Sequence, residues 1–144
     1  MKPFYNLTDE ENNQLLLLPV YVSLQALNHG DNDNKTAREA AVRFAHTKTF
    51  SCDPRLIPFY REVDQNFAGS LESVLEQLPE DPAARKEVIE KKLQSIDKIV
   101  AKLNQPYTDV IHRSMESFGG HIVKAQNSVL SKFALPLKLP GLDI

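Results

Sequence analysis

Apolar side chains return every three or four positions through most of this chain, and that spacing limits its fold more than any other feature. Leu56, Tyr60, Val63, Phe67, Leu71, Val74 and Leu78 form one stripe. Ile89, Leu93, Ile96, Val100 and Leu103 form a second, and Ile111, Met115, Phe118, Ile122, Ala125, Val129 and Phe133 a third. A helix turns by about 100° per residue, so each set falls on one face, whereas a half-buried strand would alternate at every second residue. No segment alternates in that way between hairpin turns. The expected fold is all-α: a single-domain bundle of about five helices, mostly antiparallel because the connections are short.

The ends of the helices are also written in the sequence. Thr8-Asp9-Glu10-Glu11 reads as a capping box, with the threonine hydroxyl and the glutamate exchanging hydrogen bonds with each other's backbone N–H. The helix it opens is expected to run to about Asn28, with Gly30 as its stop. Leucines and valines between Leu15 and Leu27 surround this helix, which makes it the central one. Pro19 lies inside it and should kink it, because proline removes a hydrogen bond and crowds the preceding turn. Thr36-Ala37-Arg38-Glu39 repeats the capping pattern, with Asn34 as a competing cap, and opens a short helix. Its inner face is Ala37, Ala40, Ala41, Phe44 and Ala45. Asp53-Pro54 and Asp81-Pro82 each pair an N-cap with a proline in the first turn. Gly69 weakens the third helix and allows a break across residues 68–70. Gly119-Gly120 in the last helix implies either a bend or a neighbouring backbone that comes close. Residues 1–134 make the bundle domain. Residues 135–144 make an extended tail, because Pro136 and Pro140 exclude a helix there.

Composition narrows the function classes. The chain has 144 residues, enough for one core, with 42% hydrophobic and 25% charged side chains. Its 17 basic and 19 acidic residues give a net charge of -2, without the basic excess or stripe of a nucleic-acid binder. Cys52 is the one cysteine, so no internal disulfide can form and a reducing compartment suits the chain. The first residues lack the plan of a signal peptide. The longest apolar run, 15–22, contains Pro19 and is too short to span a bilayer. The expectation is a cytoplasmic protein with no membrane and no nucleic-acid partner.

Three sets of residues have chemistry to offer. Asp31 and Asp33, with Glu39 beyond them, put oxygen ligands close together, as a hard cation such as Ca²⁺ or Mg²⁺ requires. The loop is not an EF-hand: counted from Asp31, the central glycine is replaced by Thr36 and the final glutamate by Val42. Asp and Asn are also the ordinary residues of turns and caps, and that reading of residues 29–39 is preferred. The four histidines, His29, His46, His112 and His121, include no Glu-x-x-His pair, which disfavours a di-iron bundle and leaves them as surface or boundary residues. Cys52 lies just before Asp53-Pro54, near an expected helix N-terminus that would favour a thiolate, with His46 as the nearest base. A semi-buried structural cysteine is the preferred reading. No glycine-rich phosphate loop, Gly-x-Ser-x-Gly or Cys-x-x-Cys occurs.

The stretch Leu24-Gln25-Ala26-Leu27-Asn28-His29-Gly30-Asp31-Asn32-Asp33, an apolar helix running into an acidic loop, resembles the TerB-like tellurite-resistance helical domains. Glu39 would match a later acidic position of that pattern. The segment His46-Thr47-Lys48-Thr49-Phe50 and the ending Pro140-Gly141-Leu142 resemble bacterial all-helical proteins of unassigned function. The TerB-like resemblance implies a cytoplasmic, metal-responsive or scaffold-like domain with no established reaction. The residues themselves favour a non-enzymatic helical interaction or scaffold domain, with a protein partner or self-association and no cofactor. The alternative is a divalent-cation-binding stress-response domain that uses Asp31, Asp33 and Glu39.

Overall fold

The computed structural model describes residues 4, 6–27 and 35–133. Among them the chain forms helices α1 (Asp9–Leu16), α2 (Leu18–Leu27), α3 (Lys35–Ser51), α4 (Ile57–Gln77), α5 (Pro82–Val100) and α6 (Tyr107–Phe133), with a 3₁₀ turn at Pro54–Leu56 before α4. No strand occurs among the described residues. The fold is an all-α bundle, with α1 and α2 the two limbs of the expected kinked helix.

The capping box at Thr8 forms. The Thr8 hydroxyl accepts from the Glu11 N–H at 3.1 Å, and Glu11 Oε1 accepts from the Thr8 N–H at 3.0 Å. Eight residues later the helix breaks at Leu17 where a kink was expected. Pro19 has no N–H to give the carbonyl of Leu15. The Leu17 N–H turns onto the Gln14 carbonyl at 3.0 Å instead, which closes α1 and starts α2 at Leu18. Ser23 then donates to the carbonyl of Pro19 at 2.7 Å, a back-bond that accommodates the bend.

In α2, Leu18, Pro19, Val20, Tyr21, Ser23, Leu24, Ala26 and Leu27 are buried. The helix touches α1, α3, α4, α5 and α6, so it is the central element that its all-round apolar character requires. The stripe of the third sequence segment is buried in full, from Leu56 to Leu78. Phe67, Leu71, Ile96, Val100, Phe118 and Ile122 are each at most 3% exposed. Phe67 of α4 meets Phe118 of α6 edge-on, with ring centres 6.1 Å apart.

Several local expectations are corrected. Helix α3 is not short: it runs to Ser51. It starts at Lys35, so Thr36 falls inside the first turn and cannot be the N-cap. Ala40, Ala41 and Ala45 are buried as expected, and their small size lets α3 lie against both α4 and α6. No break occurs at residues 68–70, because the buried stripe on either side of Gly69 holds α4 in one piece. Asp53 caps the 3₁₀ turn rather than α4 itself, accepting from the Arg55 N–H at 2.9 Å. Asp81 caps α5 as expected, accepting from the Ala84 N–H at 2.9 Å. Helix α6 continues through Gly119 and Gly120.

One feature had no counterpart in the apolar pattern. Asn12 is only 3% exposed, on a helix whose other polar side chains are exposed or half-buried. Its side chain accepts from the Phe4 N–H at 3.2 Å and donates to the Phe4 carbonyl at 3.0 Å and the Thr8 carbonyl at 3.1 Å. The amide thus replaces the missing strand or helix partner of Phe4. It seats that ring against Phe59 and edge-on to Tyr107, at 6.2 and 5.5 Å.

Candidate functional site

The expected cation ligands divide. Asp31 and Asp33 lie outside the described residues, as do His29 and the tail at 135–144. Glu39 is on the exposed side of α3. Among the described residues no group of three or more His, Cys, Asp or Glu side chains could hold a metal ion.

Several other ionisable groups are bound up in contacts between or within elements. His46 of α3 and Asp64 of α4 are 2.8 Å apart, and His112 of α6 and Asp97 of α5 are 2.9 Å apart. His121 meets the carbonyl of Ser117 one turn back at 2.7 Å, and Lys48 donates to the Ser117 hydroxyl at 3.0 Å. Lys102 bonds Glu11, and that hydrogen bond, helped by the Thr8 N–H, holds the carboxyl below its ordinary range. Arg55 does the same for Asp53, whose pKa falls to about 2. Burial pushes the Tyr60 hydroxyl up, and it pairs with Ser114 at 2.5 Å.

Cys52 does not sit where the sequence placed it. Its N–H donates to the Lys48 carbonyl at 2.9 Å, so it closes the C-terminal end of α3, while α4 starts only at Ile57. A helix C-terminus carries partial negative charge and disfavours a thiolate. Half-burial acts in the same direction and is the largest cause of its raised pKa. The semi-buried structural reading fits this environment, and the activated nucleophile does not.

What the bundle does present is a groove of about 420 Å³ between α2 and α6. The helical period builds it. On α6, His112, Met115, Glu116, Gly119, Gly120 and Val123 recur at three or four residues and form one ridge. Facing them on α2 are Val22, Gln25 and Ala26. Gly119 sets the separation of the two helices. A Cβ there would lie 3.2 Å from Val22 Cγ1, tighter than ordinary contact, so the missing side chain lets α2 lie close. The glycine pair thus answers a close approach, but by a side chain rather than a backbone. Gly120 has nothing within 4 Å of where its Cβ would be and leaves the floor open. The floor is apolar, made by Val22, Ala26, Met115 and Val123, while exposed Gln25, Glu116 and His112 stand at the edge.

A second, larger depression of about 600 Å³ lies between α4 and the α1–α2 limbs. Amides and hydroxyls, among them Gln14, Gln65, Asn66, Ser70, Ser73 and Gln77, make most of its lining, with Leu17, Tyr21 and Val74 between them. Such amides and hydroxyls are well hydrated, and water is displaced from them with little gain. Water leaves the apolar α2–α6 floor at a gain, so that groove is the better candidate for a binding surface.

No described helix is long and apolar enough to cross a membrane. Comparison with protein-family models, with curated proteins and with solved structures gives no match.

Proposed function

We propose that this chain is a non-enzymatic helical interaction or scaffold domain, and that the α2–α6 groove receives a short apolar segment of a protein partner. The observation that carries this reading is an apolar floor between α2 and α6 left open by Gly120. Leucine-sized side chains suit such a floor. Exposed Glu116 at its edge favours a basic residue beside them. The ionisable groups described above serve as ties between or within helices, which leaves the groove as the surface with binding to offer. A lone, half-buried thiol suits the reducing cytoplasm, where we place the domain.

The test is a selection from a displayed library of random peptides on the intact chain, with Gly120→Trp as counter-target. The substitution puts a large ring into open space and replaces a poor helix former, so the fold should keep its melting temperature. Enriched peptides should carry spaced apolar residues with a basic one, and should bind the Gly120→Trp chain at least tenfold more weakly. Peptides that bind both chains equally, or no enrichment over an unrelated helical protein, would overturn the reading.

A further inference from the structure

On α6 the groove is lined from His112 to Val123. Helix α6 is described to Phe133, and Gly120 lies thirteen positions before it. At about 1.5 Å per helical residue that is about 20 Å. An extended chain covers about 3.3 Å per residue, so about six residues after α6 suffice to return to the groove floor. The residues that follow are Leu135-Pro136-Leu137-Lys138-Leu139-Pro140-Gly141-Leu142. In extended geometry Leu135, Leu137 and Leu139 share one side and Lys138 takes the other. Pro136 and Pro140 restrict the backbone and lower the entropy lost on docking. A leucine row of this kind is a poor surface to leave in water. Docking within one chain also avoids the entropy of bringing two molecules together.

We propose that residues 135–142 of this same chain fold back along α6 and lay the end of the leucine row, Leu139, into the α2–α6 groove, where it occupies the surface until a partner segment displaces it. The proposal rests on the groove being the binding surface, and it adds the identity of the resident occupant and a competition with any partner. An occupied groove lowers the apparent affinity for a partner by the fraction of time it is open.

Proximity in the full chain decides it. With Cys52→Ser removing the native thiol, Asp143→Cys carries a nitroxide spin label, and amide spectra report which backbone positions it approaches. Amides of Val22, Ala26 and Gly119 should be broadened in the labelled chain and should recover when Gly120→Trp fills the groove. They should stay sharp when an isotopically enriched, unlabelled chain is mixed with a spin-labelled chain at natural abundance. Sharp groove amides in the labelled full chain would overturn the proposal. So would broadening in the mixed sample, which would assign the groove to the tail of a second copy. If peptide selection succeeds while the groove amides stay sharp, the tail proposal falls and the interaction reading stands.

Discussion

Phe118→Ala is expected to cost about 3–5 kcal/mol of folding stability, the range for emptying a fully buried aromatic site. Phe118 is 0% exposed, and its ring meets Phe67 edge-on across the α4–α6 contact. The cavity would open between two long helices that are each held against α2 and α3, so collapse around it is restricted. Urea denaturation measures the loss. Phe67→Ala should cost a similar amount, and the double substitution should cost less than the sum by about 0.5–1.5 kcal/mol, the usual worth of an edge-on aromatic pair. A loss below about 1 kcal/mol for Phe118→Ala would mean that the site is not core.

The next largest effect is expected at Asn12. Asn12→Leu keeps the volume but leaves the N–H and the carbonyl of Phe4 buried without their partner. Each unpaired buried group costs about 1–3 kcal/mol, so a loss of about 2–6 kcal/mol should follow. Asn12→Asp is the sharper test. The carboxylate can still accept from the Phe4 N–H, but it loses both donor hydrogens and faces the carbonyls of Phe4 and Thr8. Those carbonyls disfavour the charged form, so the folded-state pKa of the new carboxyl should be raised above its unfolded value. The penalty should then be largest at neutral pH and shrink as the pH falls through that raised pKa, because the protonated acid regains a donor. Thermal melts of the variant and the parent chain across that window measure the difference. An Asn12→Asp penalty that does not change with pH would contradict the account of this contact.

The helices were legible because their positions are set by a period, and a period survives in the sequence. The stripes at 56–78 and 89–103 and the residues of α6 up to Ile122 lie in or against the core where the spacing puts them. Boundaries were legible where one side chain does the capping, at Thr8 and Asp81, and not where two candidates compete, at Asn34 and Thr36. The length of α3 was missed because its burial rests on alanines, which make a faint stripe. Gly69 suggested a break that α4 does not have, since a flanking buried face outweighs a cost of about 1 kcal/mol.

The groove was half legible. The glycine pair marked a place where something comes near α6, but not that the neighbour is Val22 of α2, because no sequence rule says which helices will touch. The semi-buried reading of Cys52 fits, but its place at the end of α3 was missed because the length of α3 was. Asn12 was missed because its role is defined by the backbone of Phe4, eight residues away. A polar residue on a mixed helix face looks the same whether it meets water or a buried carbonyl.

The most direct test of the central claim is a map of amide shifts in the intact chain as a peptide from the library selection is added. Binding in the groove should move the amides of Val22, Gln25, Ala26, Met115, Gly119 and Gly120 as one set, with a single saturating curve. The amides around Gln65, Ser70 and Gln77 should stay still. Shifts gathered instead around Gln65, Ser70 and Gln77, with the α2–α6 amides unmoved, would contradict the account and place the binding surface on the amide-lined side of α4.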